Sequence, residues 1–182
     1  MKKREFWRVA VKDFLKVGAV VPSSRWIEER VLKRLPEAPT TIVEYGCGTG
    51  RITHGLLASL SSKGKLIGLE LNEEFAATLS KITDSRFQLV RGNVIELSQH
   101  LRDYAPNGVD AIVSGIPFSF HSEEELNTLF KNTYEGLSKG GRFIVYQVSP
   151  LWKRYFEKYF GNVELDFEPR NIPPYFILTG TK

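Results

Sequence analysis

Residues 40–60 read TTIVEYGCGTGRITHGLLASL, and this stretch constrains the fold more than any other. An apolar run stops at Tyr45, glycines alternate over Gly46, Gly48 and Gly50, and a helical pattern of apolar positions follows. Such a run, a glycine turn and a 3.6-residue period read as strand, loop and helix. Glycine tolerates positive φ and lets a ligand approach the backbone, so the loop is either a ligand cradle or a plain turn.

The pattern then repeats. Strands are expected at Thr41–Tyr45, Lys65–Leu71, Phe87–Arg91, Val109–Ser114, Arg142–Val148, Val163–Phe167 and Tyr175–Thr181. Helices are expected around 50–60, 73–82, 94–104, 123–138 and 150–160. Alternation of this kind means βαβ units and a mainly parallel sheet with helices on both faces. No helix separates the last two strands, so Asn162–Lys182 reads as an antiparallel hairpin with Pro173-Pro174 in its connection. Ahead of the sheet, residues 2–17 read as a helix ended by Gly18, and Ser24–Leu35 as a second one stopped by Pro36. The chain thus divides into N-terminal helices over residues 1–36 and an α/β unit over residues 37–182, expected to form one structural unit.

With 182 residues, 42% hydrophobic and 25% charged, the chain suffices for one globular domain with a core. No apolar run reaches the roughly 20 residues that cross a bilayer. Charges interrupt every apolar pair of MKKREFWRVA, unlike the apolar stretch of a signal peptide. The single Cys47 fits a reducing, cytosolic setting; between two glycines it reads as a small packing residue rather than a nucleophile. The net charge of +4 sits within residues 1–17, where Lys2, Lys3, Arg4, Arg8, Lys12 and Lys16 face only Glu5 and Asp13. That asymmetry points to a local anionic partner.

Three polar groups stand at the carboxyl ends of consecutive expected strands. Glu44 can meet a cationic ammonium group. Glu70 lies where nucleotide-binding sheets place the acid that takes ribose hydroxyls, and Asn93 can address an adenine edge. A parallel sheet brings all three to one crevice. Here the chain resembles the class I S-adenosylmethionine-dependent methyltransferases. VEYGCGTGRIT is similar to their first motif, LIGLELN to the second, LVRGNV to the third, and LSKGGRFIVYQ to their loop and fifth strand. The resemblance implies a Rossmann-like seven-stranded sheet with an antiparallel last strand, and S-adenosyl-L-methionine as cofactor. It assigns the methionine part to Glu44, Tyr45, Gly46, Gly48, Thr49 and Gly50. The ribose falls to Glu70 and Leu71, the adenine to Asn93 and Val94, and Ser114 also stands near the cofactor. Asn93 departs from the more usual Asp. A dinucleotide-dependent dehydrogenase shares the glycine loop, but the terminal hairpin and the Glu before the glycines argue against it.

The fourth strand ends VSGIPFSF, where this fold faces the transferable methyl group. Gly115-Ile116-Pro117-Phe118 resembles the [Asn/Asp/Ser/Gly]-x-Pro-[Tyr/Phe] motif of amino-group methyltransferases. A catalytic loop of Ser114, Gly115, Ile116, Pro117 and Phe118 follows from that resemblance. An amine must shed a proton and align its lone pair with the sulfonium carbon, and carbonyls and an aromatic face help to orient it. The plain alternative is a Pro-ended strand leading into a loop. The amine is either an adenine base, as in the ribosomal RNA adenine dimethylases, or a lipid head group. The dimethylase motif usually begins with Asn, whose amide grips an adenine edge, and Gly115 lacks that amide. No basic tract beyond the N-terminus is present to track phosphates, so nucleic acid is not expected as a partner.

At 100° per residue, Phe6, Trp7, Ala10, Val11, Phe14, Leu15 and Val17 share one arc of the first helix, with Glu5, Arg8, Lys12 and Lys16 opposite. That pattern suits a helix lying on an anionic membrane, or one packed on the sheet. VGAVVPSSRWI, SGIPFSF and PRNIPPYFIL together resemble the bacterial phospholipid N-methyltransferases, which convert phosphatidylethanolamine stepwise toward phosphatidylcholine. The resemblance implies that the N-terminal helix is a membrane-binding, substrate-gating element, attached peripherally to the inner leaflet through Phe6, Trp7, Arg8, Lys12, Phe14 and Lys16. It also brings Ser23 and Ser24 to the cofactor and assigns substrate contacts to Phe118, Arg170 and Asn171. His121, which follows Phe118-Ser119-Phe120, reads as a substrate-site base beside the acceptor or as a plain surface histidine. The chain departs from that family after Gln147, where Val148-Ser149-Pro150 replaces an aromatic-Thr-Tyr run. His54 reads as solvated or capping, His100 has no evident partner, and no metal-ligand spacing occurs; methyl transfer needs no metal. LWKRYFEKYF reads as a core-packing helix, with a second lipid contact as its alternative. Two further readings stay open: adenine N6-methylation of RNA, and a membrane module that binds S-adenosylmethionine without turnover.

Overall fold

The structure is a computed structural model, and it describes residues 24–182. The expected first helix, its six membrane-facing residues and Ser23 lie outside the described residues. Seven strands form one sheet in the order β3-β2-β1-β4-β5-β7-β6. They are β1 (Thr41–Tyr45), β2 (Lys65–Glu70), β3 (Phe87–Arg91), β4 (Val109–Ser114), β5 (Leu137–Gln147), β6 (Val163–Glu168) and β7 (Tyr175–Thr181). Strands β1 to β5 pair in parallel, whereas β7 runs antiparallel between β5 and β6. This is the seven-stranded sheet with a reversed last strand that the sequence predicts.

Helices α1 (Arg25–Lys33), α2 (Arg51–Ser59), α3 (Glu73–Leu79), α4 (Val94–Leu97), α5 (Leu101–Tyr104), α6 (Glu123–Gly136) and α7 (Lys153–Phe160) cover both faces. The single helix expected over 94–104 is instead broken by a 3-10 turn at Ser98–His100. Ser98 Oγ donates to the Ile95 carbonyl at 2.8 Å, a local bond that competes with continuous helix. His100 does have a partner, Asp103 Oδ2 at 3.0 Å. Strand β5 begins at Leu137, directly after α6, and ends one residue before Val148, while α7 is preceded by a 3-10 turn at Pro150–Trp152.

The strand pleat sends alternate residues to opposite sides. Val43, Tyr45, Leu69, Ile112, Phe143 and Val145 pack beneath α6 and α7; Ile42, Leu66, Val113, Ile144 and Ile177 pack beneath α1 and α2. On the first side Phe130 is the hub, with Phe143, Tyr155 and Phe156 centroids 5.4, 5.2 and 5.1 Å away. Buried Tyr155 and Phe156 make α7 a core helix, as its apolar spacing suggests.

Helix α1 is fixed to the far edge of the sheet by charge. Glu164, Asp166 and Glu168 alternate along β6, so their side chains share one face. Arg30 reaches Asp166 at 2.5 Å and Glu168 at 2.7 Å, and Arg34 pairs with Glu164 and Asp166. At the other end, Arg142 of β5 donates to the Arg34 carbonyl at 2.9 Å. Helix α1 therefore starts at the carboxyl edge of the parallel strands and runs toward the opposite edge.

Candidate active site

The loop after β1 owes its path to two glycines. Gly46 has φ +76°, and a Cβ there would lie 2.6 Å from Ile116 Cγ2, so the β1 and β4 loops interlock across the strand ends. Gly48 has φ +53° and open space where a Cβ would point, the exposed backbone of a cradle. Glu70, at the end of β2, clasps this loop: Oε2 accepts from Gly48 N and Oε1 from Asn72 N, both at 2.8 Å. Leu71, the next residue, is exposed.

Glu44 ends up beside Glu70, 1% exposed. Its Oε2 accepts from the Thr53 hydroxyl of α2 at 2.7 Å, and its Oε1 has no partner among the described residues. Burial pushes the carboxyl up to about 7, against the Thr53 hydrogen bond, which lowers it, and with Glu70 raising it further. Among the described residues no basic side chain pairs with it. A buried carboxylate without a cation is costly, and an arriving cation would remove that cost. Two further buried oxygens without partners lie on the same edge: Ser114 Oγ at the end of β4 and Ser24 Oγ at the start of α1. Tyr45 is turned away into the core, where its hydroxyl meets Thr133 Oγ1 at 3.1 Å, and burial raises its pKa. Thr49 and Gly50 complete the turn, with Gly50 capping α2 at φ +84°.

After β3, Asn93 caps α4 by accepting from Ile95 N at 2.9 Å, with Val94 buried behind it. One lone pair of the amide oxygen is thus already engaged, which the sequence did not show. Cys47 is buried and burial raises its pKa, so it remains a thiol and packs beneath Gly68.

Ser114, Gly115, Ile116 and Pro117 form the loop above β4. Gln147, 8% exposed at the end of β5, donates from Nε2 to the Ile116 carbonyl at 2.8 Å and so clamps the loop. Phe118 corrects an expectation. It is fully buried, edge-on to Phe130 at 5.5 Å and Trp152 at 5.8 Å, so its ring anchors the loop in the core instead of offering a face to the acceptor. The aromatic exposed in this loop is Phe120. His121 stands 3.9 Å from Glu125, and burial lowers its pKa while Glu125 opposes that. Arg170 donates to Glu168 at 2.7 Å and lies 3.8 Å from the Trp26 ring centre, where Arg25 also stacks at 4.1 Å. Asn171 is buried and donates to the Pro173 carbonyl at 2.8 Å. Thr53, Gln147 and the Arg30–Glu168 pair escaped the sequence reading; the alternation of Glu164, Asp166 and Glu168 is the one signal that pointed to the last.

A glycine cradle between two carboxylates, at the carboxyl edge of a parallel sheet closed by an antiparallel hairpin, defines a nucleoside-binding transferase of the class I methyltransferase type. A family model described as a methyltransferase domain matches residues 42–141. Ornithine lipid N-methyltransferase of Singulisphaera acidiphila is 31% identical over 162 residues, covering 87% of this chain and 84% of that protein. Demethylmenaquinone methyltransferase of Lactococcus lactis is 25% identical over 172 residues, covering 88% of this chain and 65% of that protein. The chain belongs to the methyltransferase domain family and is an S-adenosylmethionine-dependent methyltransferase. In fold it resembles the N-methyltransferase NodS of Bradyrhizobium japonicum, solved with S-adenosylhomocysteine (TM-score 0.70, 14% identity, 89% of this chain and 90% of that one). It also resembles the O-methyltransferase TomG of Streptomyces achromogenes, solved with S-adenosylmethionine (TM-score 0.70, 15% identity, 88% and 81% covered).

The residues present fit this cofactor, because the unpaired Glu44 oxygen meets the need of a cationic ligand and the cradle leaves Gly48 open. When bound, S-adenosylmethionine supplies a methyl carbon made electrophilic by its sulfonium sulfur. Glu70 holds the loop by accepting from two backbone N–H groups, and its remaining lone pairs would take the ribose hydroxyls of the bound cofactor. Glu70→Ala is expected to weaken cofactor binding by about 1–3 kcal/mol in calorimetry, the loss that accompanies charge-assisted hydrogen bonds. Unchanged affinity would remove Glu70 from the site.

Proposed function

We propose that this enzyme transfers a methyl group to the head-group amine of a membrane lipid, with phosphatidylethanolamine and its methylated derivatives, or ornithine lipid, as the acceptor. The observation that carries the reading is the Gly115-Ile116-Pro117-Phe118 loop. It stands at the end of β4, pinned by Phe118 below and by Gln147 at the Ile116 carbonyl, beside the cradle that Gly46 and Ile116 share. A likeness over most of the chain to a protein named for N-methylation of a lipid amine supports it. In this reading Glu44, Gly46, Gly48, Gly50, Glu70, Asn93 and Ser114 hold the cofactor, and His121, Arg170 and Asn171 border the head group. The basic, aromatic residues 1–17 hold the enzyme on an anionic inner-leaflet surface. No described helix is long and apolar enough to cross a membrane.

Each basic side chain near an anionic surface contributes about 1 kcal/mol, weakening with salt. The variant Lys12→Glu/Lys16→Glu is therefore expected to lose sedimentation with anionic vesicles and most turnover on vesicle-borne amine lipid. Its affinity for S-adenosylmethionine in solution should match that of the wild type. Wild-type sedimentation by the variant would take residues 1–17 out of membrane binding.

A further inference from the structure

The acceptor loop begins with a glycine that its backbone does not require. Gly115 is not among the glycines with positive φ, so an L-residue would find no conformational penalty there. What excludes a side chain is a neighbour. A Cβ on Gly115 would lie 2.1 Å from Tyr146 Oη, 2.5 Å from Cζ and 3.0 Å from Cε2. Tyr146 belongs to β5, opposite Ile177 of β7, on the face that carries Ile144 and Ile177. Its ring lies 6.2 Å from that of Tyr175, and the next residue, Gln147, clamps the Ile116 carbonyl. The phenol oxygen from β5 thus occupies the space that a polar side chain on residue 115 would fill.

We infer that Tyr146 orients the acceptor amine, in place of the side chain that Gly115 lacks. The inference rests on the lipid-amine reading above and deepens it. A phenol oxygen has lone pairs to accept the N–H that a primary or monomethylated amine carries in its reactive, neutral form. A hydrogen bond of that kind fixes the direction of the nitrogen lone pair, which is the orientation a displacement reaction needs. The role is one of alignment and takes no proton from the nitrogen. Placing the oxygen on β5 moves the head-group contact from the loop to the strand.

The test uses the full chain, labelled S-adenosylmethionine, and anionic vesicles containing phosphatidylethanolamine or ornithine lipid. Tyr146→Phe keeps the ring and removes the oxygen. Its kcat/KM on the lipid that the wild type prefers should fall about tenfold to a hundredfold, the usual weight of a hydrogen bond to a charged or developing-charge group. Calorimetry should give unchanged affinity for S-adenosylmethionine. Binding of dihexanoyl phosphatidylethanolamine to the S-adenosylhomocysteine complex should weaken in parallel where the wild type prefers that head group. A swap separates this role from simple packing. Gly115→Asn alone should abolish transfer because Tyr146 fills the space, whereas Gly115→Asn added to Tyr146→Ala should recover activity above Tyr146→Ala alone. Tyr146→Phe within about twofold of wild type, or a double variant no better than Tyr146→Ala, overturns the inference. Absence of wild-type transfer to either lipid overturns the acceptor reading, and the inference with it.

Discussion

Glu44→Gln is expected to weaken S-adenosylmethionine binding by about 2–5 kcal/mol, the range for removing one partner of a desolvated charge pair. The same substitution should stabilise the ligand-free protein. Burial holds the Glu44 carboxyl at about 7 against its ordinary value of 4.5, and Thr53 offsets only part of that. With its folded-state value raised, Glu44 binds more protons folded than unfolded between those two values. Its contribution to stability therefore falls as pH rises through that window and is least favourable above about 7. The difference amounts to as much as about 3 kcal/mol, which the neutral amide escapes. Thermal unfolding of the apo variant near pH 8 should show a raised Tm, and the advantage should vanish near pH 4. A bound cation reverses the balance, so cofactor binding near pH 6 should expel a proton from wild-type Glu44. Calorimetry in two buffers of different ionisation enthalpy reads that proton, and the Gln variant should release none. Wild-type affinity in the variant would show that the unpaired oxygen of Glu44 faces something other than the cofactor.

The second large effect lies at the sheet edge. Glu168 is fully buried and accepts from Arg30 and Arg170, so Glu168→Ala takes the carboxylate from Arg170 and leaves Arg30 with Asp166 alone. Removing one member of a buried pair costs about 3–5 kcal/mol, and the partial exposure of both arginines places this one near the lower end. For a chain of this length, about 3 kcal/mol corresponds to a Tm lower by roughly 6–12 °C. The outer pair, Arg34 with Glu164, is far more exposed on its acidic side, and Glu164→Ala should cost less than about 1 kcal/mol. Hydrogen bonds from Arg170 hold the Glu168 carboxyl well below the usual carboxylate range. A depressed acid stabilises the fold above its ordinary value of 4.5, and that stability is lost as pH falls below it. The Tm gap between wild type and Glu168→Ala should therefore be full near neutrality and shrink on acidification. A gap that persists at low pH would assign the cost to packing rather than charge.

Strand positions were legible where a strand is a short, largely apolar run bounded by glycine, proline or a polar cap. Thr41–Tyr45, Phe87–Arg91, Val109–Ser114 and Tyr175–Thr181 stand as read. Less visible was whatever depends on contacts between distant segments. Nothing local in SQHLRDY announces that Ser98 folds back on the Ile95 carbonyl and interrupts the helix. The partners of the acids that alternate along β6 lie on α1, well over a hundred residues away in the chain, so no local pattern names them. In the site, Glu44, Glu70 and the glycines were readable from spacing after the first strand. Phe118 was not, because its motif position does not reveal whether the ring faces the acceptor or the core. Tyr146 was hidden for the same reason: only the packed sheet shows a β5 hydroxyl over the glycine that follows β4. Gly115 was the available hint, a missing side chain where a polar one is usual.

The most direct measurement offers one enzyme two acceptors. Wild-type protein, S-adenosylmethionine labelled in its methyl group, and anionic vesicles containing phosphatidylethanolamine or ornithine lipid would be incubated together with ribosomal RNA. Label is expected to extract with the lipid, mass spectrometry should place it on the head-group nitrogen, and the RNA should stay unlabelled. Label on adenine in the RNA, with none in either lipid, would contradict the lipid-amine reading.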